Sequence, residues 1–479
     1  MVKKNKAIFW KERLSAFFAG RVYPAFVAIL VAFSGIFGLE LYVGAVHTAL
    51  IATALFVSDS LKPTLISFFT FVMQISVKHA PFYPTYSDYL YTVSSVAVVC
   101  LMGGVLIFAF ARFAVRSGML ANIDRNVRIF FFKTLPLCLA LLLGGAFSVG
   151  WGSADVANGA LQGALFLLPV FFALGIREDS RTLAKYIAYL SLLVSGVIIS
   201  ELCALFITNE NAIVNGAVNK TEIALGFGIW NLVGISLAVL IPMLIYGVHV
   251  SRYPFLYLAV AVLDYAFILL TASRNSALFG GIALVGSLFA SVIFSERKRI
   301  FLRTCIMLFF GIFITGVAFF DEIAVLFSDF IDRGFSDNGR FTIWKSALSG
   351  FASFPVFGNG FSGLSVDDSV LYPFGALGKM AHNTVLQLLY AAGVFGLGGY
   401  FYYRIHTLSL VLKRPNIHKS FAAASMSVLI LSSLLDNFIF NVYPTFYYSA
   451  VLAVAVKSVI ESSTEKSPKI KNKKSQKKT

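Results

Sequence analysis

The sequence predicts an all-α fold: a polytopic integral membrane helical bundle of about 12–14 transmembrane helices with one large helical extracytoplasmic loop. Of the 479 residues, 58% are hydrophobic and only 13% are charged, whereas soluble domains carry about 25% charged residues. Apolar runs of roughly 18–22 residues recur along the chain, and this is the length at which a helix crosses a bilayer. A membrane β-barrel would instead show short strands of alternating polarity.

The apolar runs place the predicted transmembrane helices in order along the chain. The predicted spans are 22–40, 42–58, 63–78, 92–113, 129–150, 160–176, 186–207, 229–248, 254–272, 276–294, 302–320, 383–403, 420–438 and 442–460. We divide the chain into a cytoplasmic N-terminal segment (1–21), transmembrane helices 1–11 (22–320), an extracytoplasmic catalytic loop (321–382), the C-terminal transmembrane helices (383–460) and a Lys-rich cytoplasmic tail (461–479).

The distribution of basic residues predicts the orientation of these spans. Loops that stay in the cytoplasm are enriched in Lys and Arg. With the N-terminus inside and the spans alternating, both termini are cytoplasmic, and few of the 39 Lys and Arg residues fall outside. Those outside are Lys78, Lys220, Arg274, Arg333, Arg340, Lys345 and Lys379. The basic residues behind the net charge of +16 then orient the protein in the membrane and contact membrane lipids. We expect no nucleic acid partner.

The predicted extracytoplasmic loop contains one helical pattern. Phe341, Trp344, Leu348 and Phe351 recur at helical spacing. Pro355 ends the pattern, because proline cannot continue a helix. We therefore expect a short amphipathic helix that lies on the outer membrane surface.

Two arginines outside the membrane are candidate ligands for a phosphate group. Arg274 lies between two predicted spans, and Arg340 opens the amphipathic helix. A guanidinium presents a planar set of donors that suits phosphate oxygens, and a helix N-terminus adds partial positive charge. Two interpretations stand at this point: the arginines hold a diphosphate, or they reach out to lipid headgroups.

His382 closes the loop and precedes the span 383–403. Imidazole changes its protonation near neutral pH and can take a proton from a hydroxyl group. The alternative is a histidine at the membrane interface that only caps the helix.

Four polar residues fall inside predicted spans, where exposure to lipid is costly. They are His47, Glu201, Asp264 and Asp436. They either line a substrate passage or form structural pairs, and we favour a structural pair for Asp436 with Asn437.

The motifs of common cofactor sites are missing from the sequence. It contains neither HExxH nor a Walker A sequence, and its four cysteines lack metal-ligand spacing. The segment 358–363 matches GxGxxG, but the sequence predicts no strand before it, so we interpret it as a flexible turn. We expect no cofactor and no metal.

Three motifs resemble the O-antigen ligase and O-antigen polymerase family. They are Gly339-Arg340-Phe341-Thr342-Ile343-Trp344, then Phe354-Pro355-Val356-Phe357-Gly358-Asn359-Gly360, then His382-Asn383 followed by Gly393 and Gly396. Ser273-Arg274 at a span end is also similar to the family, and the resemblance covers roughly 270–400.

The resemblance implies a bacterial cytoplasmic (inner) membrane glycosyltransferase, metal-independent and inverting. Its donor would be an undecaprenyl-diphosphate-linked glycan and its acceptor a sugar hydroxyl of a glycan or lipid. It assigns Arg274 and Arg340 to the diphosphate and His382 to the general base. Trp344, Tyr372, Lys379 and Asn383 are further candidates for substrate binding.

The competing function is a flippase or transporter of lipid-linked sugars. That class also needs many helices and buried charges. It predicts charged residues along a path through the whole bilayer, whereas the candidates here gather at the outer surface.

Overall fold

The computed structural model describes residues 2–75, 93–121, 123–226, 228–294, 297–326, 340–361, 381–413 and 415–464. Helices dominate these residues. In chain order they are α1 Val2–Ala19, α2 Val22–Phe37, α3 Glu40–Val57, α4 Leu65–Ile75, α5 Val93–Ser117, α6 Arg125–Leu142, α7 Ser153–Gly175, α8 Ser180–Thr208, α9 Trp230–Ala238, α10 Ile241–Val250, α11 Pro254–Leu270, α12 Arg274–Phe294, α13 Lys298–Ala318, α14 Phe320–Leu326, α15 Arg340–Ser353, α16 Thr384–Leu412, α17 Ile417–Ser432 and α18 Val442–Thr464.

Eight helices in the described part of the chain are long and apolar enough to cross a membrane. A ninth span results if α1 and α2, bent by 66° at their junction, count as one. Three shorter apolar helices, Tyr42–Val57, Pro254–Leu270 and Ile417–Ser432, accompany them. The prediction of an all-α polytopic membrane protein is confirmed. The predicted 12–14 spans include these shorter helices as well as the long ones.

Side-chain caps explain where several of these helices begin. Asp124, Asp179, Asn383 and Asn416 each accept a hydrogen bond from a backbone N–H in the first turn of the helix that follows. The first N–H groups of a helix have no partner within it, so an Asp or Asn at this position stabilises the helix by about 1 kcal/mol.

Burial separates the centre of the bundle from its periphery. In the most apolar part of each span, the share of residues that are buried is 94% for Trp230–Val250 and 83% for Val442–Ser462, against 11% for Lys298–Ala318. The peripheral helix α13 exposes Met307, Phe309 and Val317 by 64%, 63% and 66%. Apolar surface of this extent needs a lipid environment to cover it.

Two small hairpins connect α8 to α9. Strands Ile213–Val214 and Ala217–Val218 pair antiparallel, as do Ala224–Leu225 and Gly228–Ile229. Asn215 and Gly216 form the first turn with φ values of 53° and 81°, which is the left-handed geometry that two-residue hairpins favour.

The helix α16 has a backbone break at Gly393, and the segment 355–360 is hydrogen-bonded to α16 at this break. Gly393 has φ 61° and ψ −157°, and the N–H of Val394 donates to the carbonyl of Pro355 at 2.9 Å. The N–H of Gly360 donates to Ala391 at 2.9 Å. The described part of the GxGxxG match, 358–361, has no helix or strand, and its backbone donates hydrogen bonds to α16.

Candidate functional site

The turn that follows α17, residues 432–437, packs against the beginning of α16. The N–H of Thr384 donates to the carbonyl of Ser433 at 2.9 Å. The side-chain amide of Asn383 donates to the carbonyl of Leu434 at 2.9 Å. These two bonds fix the start of α16 beside the 432–437 turn.

His382 contacts a carboxylate of this turn. Its Nδ1 lies 2.9 Å from Oδ1 of Asp436, and the two side chains are 41% and 10% exposed. The same oxygen accepts the N–H of Asn437 at 2.8 Å. The favoured pairing of Asp436 with Asn437 is present as this backbone bond, but the contact with His382 is one that the sequence analysis missed.

Arg274 stands at the same end of the bundle. It is half-buried and is the first residue of α12. Its neighbour Asn275 donates from its side-chain amide to the carbonyl of Ser432 at 2.9 Å. The N-terminus of α12 is therefore bonded to the turn that also contacts His382.

Arg340 is tied to His382 through α15. It is half-buried at the first position of that helix, and Trp344 lies one turn later on the same face. The indole N–H of Trp344 donates to the carbonyl of Ala381 at 2.8 Å. Ala347 of α15 packs on Ala381 in a small apolar cluster. Arg340 thus begins a helix that is fastened to the residue before His382.

Three helices begin at this site, namely α12, α15 and α16. Each helix N-terminus carries partial positive charge, and the first N–H groups of α16 already donate to Ser433 and Asn383. Arg274 and Arg340 add positive charge at the N-termini of α12 and α15. Among the described residues, no cluster of three or more His, Cys, Asp or Glu side chains could hold a metal ion.

The other candidate residues have different placements. Trp344 is partly buried, with its ring 5.4 Å from that of Phe341 and its N–H used by Ala381. Asn383 caps α16 by accepting from the N–H groups of Val385 and Leu386. Lys379 and Tyr372 lie outside the described residues.

Comparison with known proteins identifies the segment that contains this site. Residues 257–401 match the family model described as O-antigen ligase. The chain carries an O-antigen ligase family segment. No curated protein matches the chain. The family match indicates membrane glycosyltransferase activity of the O-antigen ligase type, with a lipid-linked glycan and an acceptor as partners.

The O-antigen ligase segment contains Arg274, Arg340 and His382, whereas Asp436 lies 35 residues beyond its end. One sequence signal could have pointed to Asp436, since a carboxylate in an apolar run needs a partner. No local spacing connects it to His382, which lies 54 residues earlier.

Replacing Asn383 by alanine is expected to lower both stability and activity. The change removes the cap of α16 and the bond to Leu434, which costs about 1 kcal/mol. Asn416→Ala is the matched control, because Asn416 caps α17 in the same way. We expect both variants to melt a few degrees lower in detergent, but only Asn383→Ala to slow glycan transfer. Equal loss of transfer in both variants would contradict a specific role for Asn383.

Proposed function

We propose that this protein is a metal-independent, inverting glycosyltransferase that moves a glycan from an undecaprenyl diphosphate donor to an acceptor sugar hydroxyl. The observation that carries the proposal is the contact between His382 and Asp436, 2.9 Å long, beside helices that begin with Arg274 and Arg340. A base that is held by a carboxylate, at an end of the bundle where two arginines begin helices, is suited to transfer onto a hydroxyl from an anionic leaving group.

His382 is the proposed general base. A carboxylate has no proton to give, so Nδ1 of His382 donates to Asp436 and Nε2 is the nitrogen with a free lone pair. Nε2 takes the proton of the acceptor hydroxyl as its oxygen attacks the anomeric carbon. Attack from the face opposite the diphosphate breaks the carbon–oxygen bond to the donor and inverts the anomeric configuration. Asp436 acts as a positioning residue that orients the ring.

Arg274 and Arg340 stabilise the leaving diphosphate in this proposal. Negative charge grows on the diphosphate oxygens as the bond to the sugar breaks. Guanidinium groups and helix N-termini that are already in place stabilise this charge without reorganisation. The same groups supply the positive charge that a divalent metal supplies in other transferases.

The proposed location of the reaction is the outer face of the bacterial inner membrane. The scarcity of basic residues in the loops that contain Arg274 and Arg340 supports this orientation. Both termini would then be cytoplasmic, and the loop 321–382 would lie on the outer side of the membrane. A ligase and a polymerase share this chemistry and differ in the acceptor, which is a lipid A core or a second lipid-linked repeat.

The test uses the purified protein in liposomes with a radiolabelled undecaprenyl-diphosphate-linked glycan. We expect undecaprenyl diphosphate to be released as the glycan joins the acceptor, at a rate that EDTA does not change. Parallel reactions with lipid A core and with a second lipid-linked repeat separate a ligase from a polymerase. Glycan that crosses the bilayer while still attached to its lipid would support the transporter and overturn the proposal.

A further inference from the structure

We infer that Gln387 is a positioning residue that sets the geometry of His382 and Asp436. The inference rests on the proposed function, since it concerns the same base. Gln387 lies in the second turn of α16 and is 4% exposed, so its side chain does not reach an acceptor directly. Its role follows from the two residues that it joins.

The side-chain oxygen of Gln387 accepts two hydrogen bonds. The N–H of Ala381 donates to Oε1 at 2.8 Å, and the side-chain amide of Asn437 donates to the same atom at 3.2 Å. A backbone N–H can only donate, so the atom that faces Ala381 is the oxygen. Ala381 and Asn437 are 0% and 1% exposed. These donors are therefore held away from competing water.

The two donors are the chain neighbours of the candidate base and its carboxylate. Ala381 precedes His382, and Asn437 follows Asp436. Gln387 thus closes a ring: it joins Ala381 to Asn437, while His382 joins Asp436 directly at 2.9 Å. These two links act on the residues beside the imidazole and its carboxylate, in addition to the bonds of Thr384 to Ser433 and of Asn383 to Leu434 that hold the start of α16 on the 432–437 turn.

The bond to Gln387 also restrains the backbone that leads to His382. The φ of His382 is 47° and lies in the left-handed region, which non-glycine residues adopt at a cost of about 1–3 kcal/mol unless the surroundings hold them there. The bond from the N–H of Ala381 to Gln387 holds one side of Ala381, and the indole N–H of Trp344 holds the carbonyl of the peptide between Ala381 and His382. Without the bond to Gln387, the bond of Trp344 to Ala381 and the link of His382 to Asp436 carry more of the restraint on the imidazole direction. A base displaced by about 1 Å loses on the order of 100-fold in rate.

The experiment compares two substitutions of similar size at this position. Gln387→Met removes the acceptor, so we expect kcat to fall by about 10- to 100-fold with little change in KM. Gln387→Glu keeps an oxygen that accepts both bonds, and we expect kcat within about threefold of wild type. Gln162→Met is the matched control, because Gln162 is also 4% exposed and its side-chain amide donates to the carbonyl of Phe440. It should leave kcat unchanged.

Asn437→Leu removes the side-chain amide that donates to Gln387 and so breaks the link between Gln387 and the 432–437 turn. It should lower kcat at unchanged KM, and this keeps the test decisive if Gln387→Met accumulates poorly in membranes. Wild-type kcat in both Gln387→Met and Asn437→Leu would overturn the inference, and so would equal loss in Gln387→Met and Gln387→Glu. His382→Ala is measured beside them. If His382→Ala retains transfer, the proposed function fails; if only His382→Ala loses it, the inference about Gln387 fails alone.

Discussion

Replacing His382 by alanine is expected to abolish long surface glycan in a host strain that lacks the wild-type gene. The variant keeps the helices that begin with Arg274 and Arg340 but has no group that takes the proton of the acceptor hydroxyl. General bases contribute a factor on the order of 10² to 10⁴ to rate, so transfer should fall below detection on a gel. The measurement is the length distribution of surface glycan, together with the lipid-linked intermediates that accumulate.

The control for this loss is His418→Ala. His418 is also half-buried and bonds Ser180 Oγ at 3.1 Å. It stands at the start of α17, whereas the 432–437 turn follows the end of that helix, about 20 Å away along its axis. We expect His418→Ala at wild-type membrane levels to restore long glycan. If equally abundant His382→Ala also restored it, His382 would not be the base.

The fold was predictable because a local run of apolar residues is enough to predict each membrane helix. An apolar run long enough to span a bilayer has few stable alternatives to a helix, since unpaired backbone groups are costly in lipid. A helix accordingly overlaps each predicted span, although several helices extend beyond the predicted ends. The same local logic found Arg274, Arg340 and His382, which stand at or just before helix starts, where a charged or polar residue beside an apolar run is conspicuous.

The contacts between these helices were not predictable from local patterns. The bond from His382 to Asp436 joins residues 54 positions apart, and that from Asn275 to Ser432 joins residues 157 apart. Such pairs depend on how α12, α16 and α17 pack, and side-chain spacing within one helix carries no information about this packing. The role of Gln387 was not predictable either, because a glutamine in an apolar run indicates that it has a hydrogen-bond partner but not which residue that partner is.

Gly393→Ala is expected to prevent the protein from accumulating in membranes. With φ 61° and ψ −157°, Gly393 occupies a region that is nearly restricted to glycine, at a cost of about 1–3 kcal/mol for other residues. A Cβ there would also lie 2.3 Å from the carbonyl oxygen of Val356 and 2.6 Å from that of Pro355. Both are backbone atoms of the segment that α16 receives, so neither can rotate away. We expect more than about 3 kcal/mol of destabilisation in total, measured as membrane abundance and melting temperature.

Gly398→Ala isolates the effect of the break from the effect of losing a glycine. Gly398 lies five residues later in α16, and a Cβ there would meet no atom within 4 Å. Alanine stabilises a helix interior relative to glycine by about 0.5–1 kcal/mol, so this variant should be as abundant as wild type or more so.

A Gly393→Ala protein that accumulates and transfers glycan normally would mean that the segment 355–360 does not need the break. The position of Gly393 relative to His382 would then not be explained by the contact between α16 and the segment 355–360. If Gly393→Ala is lost while Gly398→Ala accumulates, the spacing of His382 and Gly393 reflects one structural unit. The segment 355–360 is hydrogen-bonded to α16 at the break around Gly393. Because this segment follows α15 directly, the same bonds anchor the C-terminal end of α15, the helix that begins with Arg340.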